Sequence, residues 1–184
     1  FSLGKKIPKI IQGKNQFMID AFPNLDFRIA NPTDHKALWE IIRPIIRKGG
    51  TYVFPPDSSE QEMIEYWLGT DKSTFVAEKD GKIVGTFYLK PNQPGLGNHV
   101  CNAGFMVDEK ESGKGIGRKM GLFALAEAKK AGYLAMQFNF VISTNQAAVK
   151  LWQSLGFDII GEIPEAYRHP EKGLVGAYVM FRRI

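Results

Sequence analysis

Cysteine is almost absent from the chain: Cys101 is the single one. That excludes an intramolecular disulfide framework and a multi-cysteine zinc site, and it suits a reducing compartment, so no metal is expected and the cytoplasm is the expected location. Long apolar runs are missing too. The longest stretch without a charge, Ala131 to Val149, carries Gln137, Asn139, Ser143, Thr144, Asn145 and Gln146, which hydrocarbon does not tolerate, so neither a membrane span nor a membrane partner is expected. The segment FSLGKKIPKIIQGK is basic but has no hydrophobic core followed by a small-residue cleavage site, so no secretory signal is read there. The 19 glycines and 10 prolines are scattered, which excludes collagen-like and low-complexity chains. No arginine-rich run or nucleic-acid motif occurs, so no specific nucleic-acid partner is expected.

What is present is ordinary globular composition: 184 residues, 44% apolar and 23% charged. This is enough for one core, expected over residues 25–184 behind an irregular arm at 1–24. With 24 basic against 19 acidic residues the net charge is +5, which favours a phosphate-bearing partner without saying which.

Leu25 to Ala30 alternates as a strand, and Asn31-Pro32-Thr33-Asp34 opens a helix from about His35 to Arg47 that Pro44 is expected to bend or end. A second helix spans Ser59 to Leu68. TFVAEK and KIVGTFYLK flank an Asp80-Gly81 hairpin turn. The strand HVCNAGFMV, a loop, a helix from Ile116 to Ala131 and the strand LAMQFNFVI form a crossover, followed by a helix over Gln146 to Leu155 that Gly156 stops. FDIIGEI and AYVMFRR close the chain around a loop, PEAYRHPEKG. The pattern predicts an α/β (α+β) domain, a mixed sheet of about six or seven strands flanked by about four helices.

The informative stretch is Val107-Asp-Glu-Lys-Glu-Ser-Gly113-Lys114-Gly115-Ile116-Gly117-Arg118. A strand ends, glycines turn the chain and a helix begins, so unpaired first-turn N–H groups and the positive end of the helix dipole face the loop. Glycine admits a phosphate close to the backbone, and Lys114, Arg118 and Lys119 add charge at the rim. The P-loop and the dinucleotide fingerprint both fail, the latter because Met120 stands where glycine is required. Taken alone, the loop reads equally well as a tight strand-to-helix turn.

In element order and motif positions, residues Leu25 to Phe181 resemble the GCN5-related N-acetyltransferase (GNAT) superfamily. In that family a Q/R-x-x-G-x-G/A loop binds the pyrophosphate of acetyl-CoA, which maps onto Ser112 to Gly117; Ser112 departs from the usual Gln or Arg. The end of the preceding strand, Met106 and Val107, is implied to pair with pantetheine. Asn145, Gly156 and Phe157 match a second signature, but the family's tyrosine is Trp152, and an indole cannot protonate a leaving thiolate. Dimerisation is a family-level expectation.

GTFYLKPN, HVCNAGF, FNFVISTNQA and LWQSLGF further resemble the acetyltransferases of L-azetidine-2-carboxylate and related proline-like amines. That likeness implies a small-molecule amine acceptor, catalytic roles for Asn102 and Asn139, and a cofactor role for Asn145. Asn102 and Asn139 also interrupt apolar strands and need partners if buried, which a splayed strand or bulge would supply equally well. Tyr52 and His99 are expected on the substrate side. Tyr167 and His169 are within reach of the same mouth. Cys101 reads as a small buried hydrophobe.

Overall fold

The structure is a computed structural model that describes residues 25–184; the arm expected at 1–24 lies outside the described residues. The elements are β1 (Leu25–Ile29), α1 (His35–Lys48), α2 (Glu60–Trp67), β2 (Ser73–Lys79), β3 (Lys82–Pro91), β4 (Val100–Val107), α3 (Ile116–Lys130), β5 (Ala135–Ile142), α4 (Gln146–Ser154), β6 (Asp158–His169) and β7 (Gly173–Arg183). They form the expected mixed α/β architecture. One seven-stranded sheet runs β1-β2-β3-β4-β5-β7-β6, and β4 with β5 is its parallel pair.

Helix starts follow their caps. Asn31 opens a short 3-10 turn in which the Asp34 carboxylate accepts the Asn31 amide at 2.8 Å, and Ser59 with Glu62 forms a capping box on α2. Pro44 neither ends α1 nor interrupts its buried stripe of Leu38, Ile41, Ile42 and Ile46. It removes only the amide that would reach the carbonyl of exposed Glu40, which water can satisfy. Gly49, at φ 67°, stops the helix instead.

The sheet has two differently built faces. On one, α1 and α2 cover Val76, Tyr88 and Met106, with Trp67 donating to Thr86 Oγ1 at 2.9 Å and Thr74 donating to the Trp67 carbonyl at 2.7 Å. On the other, α3 and α4 cover Phe87, Cys101, Phe138 and Phe157. These helices cross closely because Gly121 offers no Cβ; one placed there would lie 2.5 Å from Leu155 Cδ1.

The segment PEAYRHPEKG is mostly strand rather than loop. β6 continues to His169 and β7 begins at Gly173, with Tyr167 opposite Val175. Pro164, which has no N–H, and Glu165, at φ 49°, lie in a register irregularity between Ile163 and Tyr167. The turn signals therefore mark a bulge within a hairpin. Among the described residues, no helix is long and apolar enough to cross a membrane.

Candidate active site

β4 and β5 pair only at Val100 with Ala135 and Cys101 with Met136. Beyond these two rungs the sheet splays open, and the candidate site residues gather around the gap.

At the far end of β4 lies the glycine loop. Asp108 accepts the Lys110 amide at 3.0 Å, a short turn follows, and Gly113 and Gly115 both adopt left-handed backbone, φ 75° and 82°. Only glycine does this readily. A Cβ on Gly113 would meet nothing within 4 Å, so that side of the loop is open to a ligand. The first-turn amides of Ile116, Gly117 and Arg118 have no carbonyl four residues back within the helix. Gly117 has a different task, because a Cβ there would sit 3.3 Å from Leu151 Cδ2; it seats α3 on α4 rather than widening the cradle. Lys114 and Lys79 both pair with Glu111 at 3.0 Å, and these ammonium groups, Lys114 first, pull the Glu111 carboxyl below its ordinary value. Arg118 donates to Ser154 Oγ at the end of α4, 2.8 Å.

The alternation of β4 sorts its backbone. Asp108 donates to Val84 on β3 at 2.9 Å, so even-numbered residues turn their N–H and C=O towards β3 and odd-numbered ones towards the gap. Val107 therefore presents an open edge, as does Phe105, whereas the Met106 backbone belongs to the β3 ladder. Of the pair implied to meet pantetheine, Val107 has its backbone on the gap side with Phe105, and Met106 has its backbone on the β3 side.

Asn102 and Asn139 join one chain of amides. Asn102 Nδ2 donates to the Gln137 carbonyl at 2.9 Å, bridging β4 to β5 one step past their last rung. Gln137 Nε2 donates to Asn139 Oδ1 at 2.8 Å, and Asn139 Nδ2 donates to Asn92 Oδ1 at 2.7 Å. Sequence reading missed Gln137 and Asn92. Gln137 could have been found, since it lies two residues before Asn139 and breaks the same apolar strand on the same face. His99 is not brought to this group: it is exposed in the turn before β4, with Nδ1 3.2 Å from the Leu96 carbonyl.

From the α1–α2 connection, Tyr52 reaches the gap and donates its hydroxyl to the Phe105 carbonyl at 2.8 Å. Its ring stacks on Phe54 and meets Trp67 edge-on, centroids 5.7 and 6.0 Å apart. Burial pushes the Tyr52 phenol well above its ordinary pKa. Tyr167 straps the same segment, accepting the Gly50 amide at 2.9 Å and donating to the Tyr52 carbonyl at 3.2 Å. Asn145 caps α4 through the Ala148 amide at 3.2 Å, and beside it Thr144 Oγ1 is buried without a hydrogen-bond partner. Trp152 packs in the α3–α4 core against Phe105 and Phe138, centroids 4.8 and 4.7 Å away. Cys101 is fully buried, and burial pushes its thiol up to about 12. No cluster of three metal-binding side chains occurs among the described residues.

An open glycine cradle, an unpaired β4 edge and an orphan hydroxyl beside Asn145 fit an extended ligand ending in a diphosphate. Known proteins agree with that geometry. Residues 37–157 match the profile of the acetyltransferase (GNAT) family. The N-acetyltransferase aca1 of Schizosaccharomyces pombe is 37% identical over 110 residues, 59% of this chain and 53% of aca1, so the chain spans about half the length of that relative. A GCN5-related N-acetyltransferase from Kribbella flavida superposes with TM-score 0.83 at 40% identity, covering 88% of this chain and 99% of that one. The Salmonella typhimurium protein yncA, solved with its cofactor acetyl-CoA, shares the fold at TM-score 0.75 and 20% identity, over 87% of this chain and 94% of that one. With the profile spanning the splay, the cradle and α4, the chain belongs to the GNAT acetyltransferase family.

Proposed function

We propose that the protein is an acyl-CoA-dependent N-acetyltransferase that moves the acetyl group of acetyl-CoA to the amine of a small molecule, a proline-like cyclic amino acid being the favoured acceptor. The co-substrate supplies the activated thioester. The chain's part is to hold both partners in line. Amides of the Gly113–Arg118 loop, with Lys114, Gly115, Ile116 and Gly117 between them, hold the diphosphate. The open edge at Val107 pairs with pantetheine, and Asn145 and the Thr144 hydroxyl complete the cofactor side. Asn102 and Asn139 orient the acceptor and donate hydrogen bonds to developing charge.

The amide chain Asn102–Gln137–Asn139–Asn92 at the splay carries this reading. It offers neutral, fixed donors and acceptors suited to a small polar acceptor. The strap of Tyr167 over Gly50 and Tyr52 closes one side of the mouth, which favours a compact amine over a peptide. The test is release of CoA thiol from acetyl-CoA across a panel of azetidine-2-carboxylate, proline analogues, polyamines and a peptide. Turnover confined to cyclic amino acids is expected. Turnover on the peptide alone would make the enzyme a peptide N-acetyltransferase, and binding of acetyl-CoA with no release on any of these acceptors would leave an acceptor outside the panel or a non-catalytic regulator.

A further inference from the structure

In this family a tyrosine on the helix after β5 is the expected proton donor to the departing thiolate, and here that position is Trp152. Its indole is buried against Phe105 and Phe138 on the α3–α4 face, and it has no proton to give at neutral pH. Acetyl transfer still ends with a thiolate that must be protonated, and the opposite side of the same strand carries a phenol. Tyr52 Oη lies 2.8 Å from the Phe105 carbonyl. That carbonyl is on the β4 edge facing the gap. At about 3.3 Å per residue it lies about 7 Å along the strand from Val107 at the cradle end and about 10 Å from Asn102 at the last bridge to β5. A ligand chain anchored in the cradle and running along the open edge would pass this stretch.

We infer that Tyr52 is the proton donor to the departing thiolate, filling from the α1–α2 side the role that Trp152 leaves empty on the α4 side. The inference rests on the acetyl-transfer reading and is independent of which amine is the acceptor. As the amine nitrogen bonds to the thioester carbonyl carbon, the carbon–sulfur bond breaks with its electron pair going to sulfur. The Tyr52 hydroxyl proton passes to that sulfur, and the phenolate oxygen takes up the proton that nitrogen loses on becoming an amide. The residue ends as it began. The hydroxyl hydrogen turns from the Phe105 carbonyl by rotation about the C–O bond alone, so the ring keeps its packing on Phe54 and Trp67 throughout.

Two further observations favour Tyr52 over other groups. Its main chain is pinned by Tyr167 at both Gly50 and Tyr52, which fixes the phenol relative to β4. Tyr66 and Tyr88 pair with one another at 3.3 Å under Lys72, whose ammonium lies 4.4 Å from the Tyr66 ring centre. Tyr88 lies flat beneath Gly104, where a Cβ would be 2.7 Å from its ring, and Gly104 is an even-numbered residue whose backbone faces β3. The titratable groups facing Tyr52 are therefore Tyr66, Tyr88 and Tyr167, and its own hydroxyl is the one bonded to the open edge.

The test is the titration of the thiol of bound CoA, followed by thiolate ultraviolet absorption, in the intact protein and in Tyr52→Phe, which keeps the ring packing. A phenol donating to sulfur favours the thiolate, so the midpoint in Tyr52→Phe is expected about one pH unit higher, with CoA affinity below pH 7 unchanged within about twofold. Acetyl transfer to any accepted amine is expected to fall about 100-fold in kcat with the KM for acetyl-CoA little changed. An unshifted midpoint overturns the inference. Should Tyr52→Phe fail to fold, a difluorotyrosine in place of Tyr52 is a stronger donor and must lower the midpoint; no lowering overturns the inference equally. A shifted midpoint without turnover on any amine upholds the donor and removes the acceptor reading. Turnover on cyclic amines with an unshifted midpoint does the reverse, and failure of CoA to bind overturns both.

Discussion

The two sides of β4 do different work with different materials. On the α3–α4 side the chain presents backbone: a glycine loop in left-handed conformation, first-turn amides and an open strand edge, backed by the aromatic core of Phe105, Phe138 and Trp152. On the α1–α2 side it presents side chains: the linked amides of Gln137, Asn139 and Asn92, the Asn102 amide bonded to the Gln137 carbonyl, and a phenol strapped down from β6. A backbone site is indifferent to most substitutions but intolerant of a Cβ or of poor helix packing. A side-chain site depends on each group, and on a register set by residues far apart in sequence.

The largest expected effect separates core from chemistry. Trp152→Ala should destabilise the fold by about 3–5 kcal/mol through the cavity left among Phe105, Phe138 and Phe157, measured by urea denaturation. Trp152→Phe should keep most of the stability and the activity, and a turnover loss in that variant without a stability loss would return Trp152 to the mechanism. Next, Asn102→Ala removes the bridge to the Gln137 carbonyl. Its kcat should fall about 10- to 100-fold, which is about 1.4–2.7 kcal/mol, with acetyl-CoA affinity nearly unchanged; equal losses in both would place Asn102 on the cofactor side.

A smaller effect comes from the support of the α1–α2 side. Arg28 donates to both oxygens of buried Asp34, at 2.8 and 2.9 Å, and this holds the Asp34 carboxyl below its ordinary value. A carboxyl depressed in the folded state stabilises fully above its unfolded pKa, near 3.9, and that contribution is lost as pH falls through the lower folded value. Because Arg28 is 40% exposed, the loss in Arg28→Ala at neutral pH is expected at only about 1–2 kcal/mol. The variant should also show a weaker dependence of stability on pH below about 4; an unchanged acid profile would show that the pair contributes nothing to it. The smallest effect is Gly113→Ala. The left-handed backbone at 113 disfavours a Cβ by about 1 kcal/mol, so acetyl-CoA affinity should fall by about fivefold in calorimetry while kcat at saturation is kept.

The same division explains what could be read from the sequence. The cradle was legible because backbone chemistry writes itself locally, as glycines at fixed spacing before a helix. Among the described residues, the eleven α-helices and strands were legible in order because each has its own period or cap. The amide side of the splay, proposed to hold the acceptor, was only half legible. Asn102, Asn139 and Tyr52 stood out as polar or aromatic residues in telling places, but Gln137 and Asn92 gained meaning only when β3, β4 and β5 came together. Pro44 and the PEAYRH segment misled because proline speaks for its own φ and missing amide, whereas the buried stripe of α1 and the β7 ladder decide the element. The parity that turns the Met106 backbone to β3 and those of Phe105 and Val107 to the gap is set by the β3 ladder and has no local signal in the sequence.

On the proposed reading, cofactor and acceptor are held from opposite sides of one strand, by backbone and by amide side chains respectively. Asn139→Ala tests it most directly, with acetyl-CoA affinity measured by calorimetry and acetylation of azetidine-2-carboxylate measured by thiol release on the same preparation. Affinity within about twofold of the parent is expected, with kcat/KM for the amine lowered by at least about tenfold, or about 1.4 kcal/mol. Weakened acetyl-CoA binding with kcat/KM for the amine intact would contradict it.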